Sequence, residues 1–157
     1  MDQYTQQQKN QFMLAALIEA KKAAKHGEIP IGCVIAAGDK IIGRGYNSRE
    51  SAHDATAHAE INAIRQADQV VNDWRLTDSS LFVTLEPCPM CSGAIINARI
   101  KNIYYGCADP KAGTAGTLMN ILTDKRFNHQ ARVEKGICKS ECEKVLHSFF
   151  AKIRENH

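Results

Sequence analysis

The stretch TLEPCPMC, Thr84 to Cys91, closes an apolar run and carries two cysteines spaced C-x-x-C. The run SLFVTL, residues 80–85, is nearly continuous in apolar residues, which predicts a strand covered on both faces of a sheet. Residues 89–98 predict a helix, so the cysteines lie where a strand ends and a helix begins. Clefts at such strand ends are where open α/β sheets bind ligands. The spacing itself fits a redox pair, half of a structural zinc site or half of a catalytic metal site.

Helices and strands alternate along the chain in the predicted order α-β-β-α-β-α-β-β-α. Helices are predicted at 6–26, 57–67, 89–98 and from Ser140 onward, and strands at 29–37, 40–46, 80–85, 103–106 and 131–135. Thr5–Gln8 and Ser140–Glu143 have the form of capping boxes, and residues 107–130 predict a long irregular excursion. This order predicts an α/β fold, a three-layer α/β/α sandwich with a mixed five-stranded sheet, in a single domain of residues 1–157.

Length, composition and charge restrict the classes of function. The chain has 157 residues and a net charge of +3, and no apolar run approaches the ~20 residues that span a bilayer. The N-terminal MDQYTQQQKN lacks the layout of a signal peptide, so we expect a cytoplasmic protein whose six cysteines are thiols or metal ligands. Residues 101–157 carry 10 basic and 6 acidic side chains. That excess mildly favours an anionic partner, although a solvated basic surface accounts for it equally well.

A second motif, His58-Ala59-Glu60, stands 30 residues before Cys88. One imidazole and two thiolates suit Zn²⁺, and three protein ligands leave one tetrahedral position open to water, as in catalytic zinc sites. Cys88 and Cys91 lie about 60° apart at a helix start, where the helix dipole favours thiolates. His58 and Glu60 lie about 200° apart, so both reach the metal only if their helix meets it end-on. We therefore predict two helix N-termini that point into one pocket.

Glu60 is free for proton transfer in this arrangement, because the metal already has three protein ligands. It can take a proton from a zinc-bound water and return protons to a ring nitrogen and to a departing amino group. The pattern H-x-E…P-C-x-x-C is the signature of zinc deaminases. The predicted chemistry is hydrolytic deamination of an amino-substituted heterocycle.

The spacing alone leaves other uses of these residues open. Thioredoxin-like redox sites need a different strand–helix context and no upstream H-x-E. A structural zinc needs a fourth ligand, for which His53, Cys33 and Cys107 are the candidates. Cys33 and Cys107 lie in apolar runs and are expected in the core. Cys138 and Cys142 have no histidine nearby in the sequence to complete a metal site.

Through these motifs the chain resembles the cytidine deaminase-like superfamily and, within it, the bacterial tRNA-specific adenosine deaminases. The resemblance extends over nearly the whole chain, through GEIPIGCVI, TAHAE, LFVTLEPCPMC, DPKAGTAGTLMN and FNH to the final FF. It implies a cytidine deaminase-like fold and one Zn²⁺ per subunit, held by His58, Cys88 and Cys91. Glu60 is the implied proton carrier, and Asn47 and Asp109 are the implied substrate contacts. Ala59, between the two motif residues, and Lys111, a cation on the long excursion that could hold a phosphate, are predicted as further substrate contacts.

The implied reaction converts adenosine to inosine at the wobble position of a tRNA anticodon, in a homodimer that binds the anticodon stem-loop. A hairpin loop already exposes its bases, so flipping one into a zinc pocket costs little. The main alternative is the same chemistry on a free nucleobase or nucleoside such as guanine or cytosine, against which the basic, glycine-rich residues 107–135 argue. The other alternative is a zinc-stabilised RNA-binding module, and Glu60 argues against it because a structural site has no use for that carboxylate.

Overall fold

The computed structural model describes residues 3–156, and its elements follow the predicted order. Residues 1, 2 and 157 of the predicted 1–157 domain lie outside the described residues. Within the described range the elements are α1 (Gln6–Lys25), β1 (Gly32–Ala37), β2 (Lys40–Tyr46), α2 (Ala59–Val71), β3 (Ser79–Leu85), α3 (Pro89–Asn97), β4 (Asn102–Cys107), β5 (Arg132–Lys135) and α4 (Lys139–Glu155).

The strands form one mixed five-stranded sheet in the order β2-β1-β3-β4-β5, as predicted. β1 pairs antiparallel with β2 and with β3, whereas β3, β4 and β5 run parallel to one another. The two-residue turn Gly38-Asp39 joins β1 to β2, and the φ of 62° at Gly38 is one that glycine adopts without strain. β2 therefore runs in the same direction as β3 and β4. The carboxyl ends of these three strands lie at one edge of the sheet.

Helices cover both faces of this sheet. One core, which includes Cys33, Ile35 and Val83 of the strands, lies beneath α2 and α3. The intervening strand residues, among them Val34 and Phe82, face the other core beneath α1 and α4. This alternation confirms the predicted three-layer α/β/α sandwich. Among the helices of residues 3–156, none combines the length and the apolar content that crossing a bilayer requires.

The capping box predicted at the start of α1 is present. The Gln8 N–H donates to Thr5 Oγ1 at 3.1 Å, and the Thr5 N–H donates to Gln8 Oε1 at 2.9 Å. Both bonds satisfy backbone donors that a helix start otherwise leaves without partners. The helix ends at Lys25, one residue earlier than predicted, and Gly27 follows with a φ of 75°.

The capping box predicted at Ser140 is wrong. α4 already begins at Lys139, and its N-cap is Cys138, which has a φ of 52° and makes no side-chain capping bond. The Gly136 N–H donates to the Tyr105 carbonyl at 2.9 Å, which attaches the chain to β4 just before the helix. The turn into α4 is thus set by a tertiary backbone contact, and Ser140 lies inside the first turn.

The starts of β1 and α2 also differ from the predictions, because backbone groups next to them form hydrogen bonds within loops. β1 begins at Gly32 instead of residue 29, since the Ile31 N–H donates to the carbonyl two residues earlier in a tight turn. α2 begins at Ala59 instead of residue 57, since the Ala57 carbonyl accepts a hydrogen bond from the Ser48 N–H in the preceding loop. That loop makes His58 the last extended residue before the helix.

The predicted long excursion is confirmed between β4 and β5. Residues 108–131 contain no helix or named strand, only an isolated bridge between Ala115 and Asn120. Because β4 runs parallel to β2 and β3, this segment leaves the sheet at the edge where those strands also end. It therefore borders the region in which α2 and α3 begin.

Candidate active site

The two predicted helix starts lie at the carboxyl edge of the sheet. His58 is the N-cap of α2 and Cys88 is the N-cap of α3, both in extended backbone conformation, and Pro89 opens α3 at its first helical position. Neither N-cap side chain makes a capping hydrogen bond to the backbone of its own helix. The imidazole and the thiol are therefore available to each other between the two helix starts.

Two glycines of β2 allow α2 to lie close to the sheet. A Cβ atom on Gly45 would meet the Ala59 carbonyl and the Ala63 N–H, and a Cβ atom on Gly43 would meet the Ala63 carbonyl. Any larger residue at either position would displace the first turns of the helix. The position of His58 thus depends on glycines in a neighbouring strand.

Three metal-binding atoms gather where the helix starts meet. His58 Nδ1 lies 3.7 Å from Cys88 Sγ and 3.6 Å from Cys91 Sγ, and all three atoms lie within 4.8 Å of one another. Tetrahedral zinc with bonds of about 2.0 Å to nitrogen and 2.3 Å to sulfur has an N···S separation of about 3.6 Å. The donor atoms therefore fit a zinc ion in both chemical type and spacing.

The cluster consists of three side chains. Within residues 3–156 it is the only group of three or more His, Cys, Asp or Glu residues whose donor atoms lie this close together. His53, Cys33 and Cys107, the candidates for a fourth ligand, do not join it, and both of these cysteines lie in the hydrophobic cores, as predicted. Three protein ligands leave one tetrahedral position open, which is the catalytic form of a zinc site.

The charges in this cluster are tightly linked. Burial raises the pKa of the Glu60 carboxyl to about 7. Hydrogen bonds, first from Cys91 and then from His58, lower the pKa of the Cys88 thiol to about 4. The bond to Cys88 in turn raises the pKa values of Cys91 and His58. Because zinc binds thiolates and neutral imidazole, occupation of the site would release these protons.

A cavity of about 850 Å³ opens at the cluster. That volume lies within the range of sites for small molecules and accommodates a nucleoside. Cys91 is fully buried and does not line the cavity. The other seven residues singled out in the sequence all line it, namely Asn47, His58, Ala59, Glu60, Cys88, Asp109 and Lys111.

Asn47 and Ala59 contribute to the cavity wall in different ways. The Asn47 side-chain N–H donates to the Ile29 carbonyl at 3.2 Å, and its Oδ1 accepts from the Arg49 N–H at 3.3 Å. This amide therefore joins two loops as well as lining the cavity. Ala59 is fully buried as the first residue of α2, so its small side chain leaves room beside the metal-binding atoms.

Asp109 and Lys111 lie on the long segment that forms the opposite wall. The Asp109 carboxylate accepts hydrogen bonds from the backbone N–H groups of Lys111 at 3.0 Å and Ala112 at 3.2 Å, which closes a tight turn. The Lys111 side chain is exposed and forms no ion pair with the residues that the structure describes. It is thus a cation available to a bound anion.

The sequence patterns did not single out two buried carboxylates near the cavity. Glu86 lines the cavity and Glu28 lies behind the loop that precedes α2, and each is at most 2% exposed. Glu28 accepts hydrogen bonds from the N–H groups of Glu50 at 3.1 Å and Ser51 at 2.6 Å. The available signal was an acidic residue directly before an apolar run, as at Glu28, or directly after one, as at Glu86, but the partners of both are far away in the sequence.

The face of α4 that borders the cavity was also missed. Lys139, Glu143 and His147, at helical spacing, line the cavity together with Leu146 and with Phe150, which is 40% exposed. This face of the helix therefore brings charged, aliphatic and aromatic side chains to the cavity. The periodicity of α4 indicated its apolar stripe, and the polar residues beside that stripe gave no distinct signal.

Comparison with known proteins gives consistent results. Residues 7–154 match the family described as MafB19-like deaminase. The tRNA-specific adenosine deaminase of Streptococcus pyogenes is 47% identical to this chain over 152 residues, which cover 97% of this chain and 96% of that protein.

Solved structures give the same fold. A chain from studies of A-to-I editing by tRNA deaminases at the wobble position of transfer RNA is 40% identical, with a TM-score of 0.83, and the match covers 87% of this chain and 99% of that one. Guanine deaminase from Bacillus subtilis is 39% identical, with a TM-score of 0.61, and the match covers 68% of this chain and 69% of that one. The match to the tRNA deaminase is the more extensive of the two.

Proposed function

We propose that this chain, which belongs to the tRNA-specific adenosine deaminases of the MafB19-like deaminase family, converts adenosine to inosine at the wobble position of a tRNA anticodon by zinc-dependent hydrolysis. One observation carries the proposal. The metal-binding atoms of His58, Cys88 and Cys91 gather within 4.8 Å of one another at a nucleoside-sized cavity, whose lining includes the buried Glu60.

His58, Cys88 and Cys91 would hold one Zn²⁺ per subunit through one imidazole nitrogen and two thiolates. When bound, zinc supplies a Lewis acid that lowers the pKa of water and so provides a nucleophile at neutral pH. Cys91 is fully buried and Cys88 caps a helix, so both thiols are fixed by regular structure. The chain itself therefore contributes a preformed metal-binding corner, formed by His58, Cys88 and Cys91.

Glu60 would carry the protons of the reaction. Water adds to C6 of the adenine ring, the bond between C6 and the exocyclic nitrogen breaks, and ammonia leaves. Inosine then has a carbonyl at C6 and a proton on N1. Glu60 would accept the two protons of the water in turn, the first when the water adds to C6 and the second when the C6 carbonyl forms. It would deliver one of them to N1 and the other to the leaving amine. Its burial beside the metal-binding atoms keeps bulk water from competing for these protons.

The substrate would bind between the two cavity walls. Asn47 and Ala59 would contact the flipped nucleotide from one side, and Asp109 and Lys111 from the other. The exposed Lys111 ammonium suits a phosphate of the RNA backbone. A base paired within a stem cannot reach this cavity, whereas a base in an anticodon loop is already unpaired.

The homodimer, the cytoplasmic location and the single-domain organisation of residues 1–157 belong to the same proposal. One continuous sheet and a family match over residues 7–154 support a single domain. Leu118, Met119 and Phe127 of the long segment are each about half exposed, and a subunit contact would remove such apolar surface from water. Sedimentation of the purified protein would measure the subunit number.

The proposed function is tested with a synthetic anticodon stem-loop that has adenosine at the wobble position. Matched reactions contain free adenosine, cytidine or guanine, and the products measured are inosine and ammonia. We expect inosine in the stem-loop and no ammonia from the free compounds. Ammonia from guanine alone would establish the free-base alternative. No reaction with any substrate, in protein that holds one zinc per chain, would favour the RNA-binding module.

A further inference from the structure

Glu86 stands between β3 and the metal-binding Cys88, and only 2% of its surface is exposed. Its Oε1 accepts hydrogen bonds from the Asp109 N–H at 3.1 Å and from the Thr117 hydroxyl. Its Oε2 accepts hydrogen bonds from the N–H groups of Ala115 at 2.9 Å and Thr117 at 3.1 Å. One side chain thus binds four donors, all of which belong to residues 109–117.

These four donors, rather than a paired cation, satisfy the buried carboxylate. No Lys, Arg or His side chain within residues 3–156 forms an ion pair with Glu86. An ionised carboxylate only accepts hydrogen bonds, and burying one is unfavourable unless donors surround it. Because all the donors come from one segment, the segment must close around the carboxylate to satisfy it.

The sequence of the segment fits this closure. A Cβ atom on Gly113 would meet the carboxyl carbon of Glu86, so glycine allows the chain to pass there. The N–H and hydroxyl groups of Thr114 donate to the Pro87 carbonyl at 2.9 and 3.0 Å, and its hydroxyl lies 2.8 Å from Ser92 Oγ. Residues 109–117 are therefore attached to residues 86–92, the stretch that carries both metal-binding cysteines.

We propose that Glu86 is a positioning residue of the deaminase. It sets the distance between the wall that carries Asp109 and Lys111 and the metal-binding corner. The inference rests on the proposed function, because this distance affects the reaction only if a nucleotide binds against that wall. A nucleotide held there presents its ring carbon correctly only while the wall stays in place, and a misplacement of about 1 Å can lower a rate by about a hundredfold.

The test is Glu86→Gln, which keeps the side-chain shape and replaces one acceptor oxygen by an amide NH₂ group that faces backbone donors. We expect kcat on the stem-loop to fall by about a hundredfold and KM to rise, with one zinc per chain retained. Hydrogen exchange at the amides of Ala115 and Thr117 should accelerate, while exchange in β3 stays unchanged. The matched control is Ile100→Val, a buried change just before β4, at the end of that strand far from Glu86, which we expect to lower the melting temperature and leave KM unchanged.

The inference is overturned if Glu86→Gln keeps both kinetic constants, or if it behaves like Ile100→Val, with kcat reduced only in proportion to the folded fraction. If Glu86→Gln does not fold, Thr117→Val removes only the hydroxyl donor, and its kcat should fall about tenfold with the zinc retained. Unchanged kinetics of Thr117→Val would then overturn the inference. A wild-type protein that leaves the stem-loop unmodified contradicts the proposed function, whereas an active wild type with an equally active Glu86→Gln contradicts this inference alone.

Discussion

Two regions of the molecule meet at the cavity, and different forces hold them in place. The metal-binding corner lies on the first turns of α2 and α3, whose following residues pack into a hydrophobic core. The opposite wall is formed by residues 108–112 of the long segment, which have no helix or named strand. Hydrogen bonds to Glu86 and Pro87 hold this part of the segment beside the corner, and only later do Ala115 and Leu122 enter the same core. Packing therefore holds the metal-binding atoms in place, whereas a few buried hydrogen bonds, which single substitutions can break, hold the opposite wall.

The largest expected effect is on the metal-binding corner. Cys91→Ser replaces one of the three metal ligands, so bound zinc should fall from one per chain to near zero. Loss of a residue that only hydrogen-bonds to a ligand lowers metal affinity by up to about a hundredfold, and loss of a ligand itself should lower it more. Metal analysis of the dialysed protein measures this, with stem-loop deamination as the second readout. Cys138→Ser is the matched control, because this thiol lies outside the cluster and should leave zinc content unchanged. Zinc retained in Cys91→Ser would contradict the ligand assignment.

An intermediate effect, on the free energy of unfolding, is expected for Glu28, whose carboxylate binds the loop that leads into His58. Burial alone would raise the pKa of Glu28, but hydrogen bonds from Ser51 and from the Glu50 N–H outweigh it and lower the pKa below the ordinary 4.5. The stabilisation by ionised Glu28 is present above pH 4.5 and is lost as the pH falls through the lower pKa of the folded state. Glu28→Gln should therefore cost about 2 kcal/mol of unfolding free energy at pH 7.

The acid dependence of the Glu28→Gln effect tests the contribution of this carboxylate. Denaturant unfolding of Glu28→Gln and wild type is compared at pH 7 and at a series of pH values below 4.5. The difference between them should shrink as the pH falls through the lowered pKa of Glu28, because the wild-type carboxyl becomes protonated there. A difference that stays constant over the whole series down to acid unfolding would show that the stabilisation does not depend on the charge of Glu28.

The smallest expected effect is on the wall. Lys111→Glu reverses the exposed charge beside the cavity, so KM for the stem-loop should rise about tenfold, more than kcat falls. The rise should diminish as salt is added, since the contact is electrostatic. Lys40→Glu is the matched control, because this exposed lysine lies at the other end of β2 from the cavity and should leave KM unchanged. Equal effects of the two substitutions would indicate a nonspecific role of net charge.

The contrast between the two regions also explains what the sequence could predict. The order of elements, the mixed sheet and the gathering of His58, Cys88 and Cys91 followed from periodicity and from spacing along the chain. Such patterns suffice where ligands lie on the first turns of regular elements, because the geometry of a turn is local. The family resemblance indicated Asn47 and Asp109, and the charge of the long segment indicated Lys111. These residues and Ala59 all line the cavity, although their roles as contacts stay predictions.

Features that depend on distant partners were not predictable in this way. The partners of Glu86 lie 23 to 31 residues later in the chain, and those of Glu28 lie 22 and 23 residues later. An apolar run on one side is too weak a pattern to indicate that these two acidic residues are buried. The predicted start of α4 was wrong for the same reason. The contact between Gly136 and Tyr105 sets the start of this helix and overrides the capping motif at Ser140.

The central claim is that Glu60 carries the protons of a zinc-dependent deamination. Single-turnover conversion of the stem-loop by Glu60→Gln, together with its zinc content and melting temperature, tests it most directly. We predict one zinc per chain, an unchanged melting temperature and a rate lower by about a thousandfold or more. A rate within tenfold of wild type, or loss of zinc together with activity, would contradict the role assigned to Glu60.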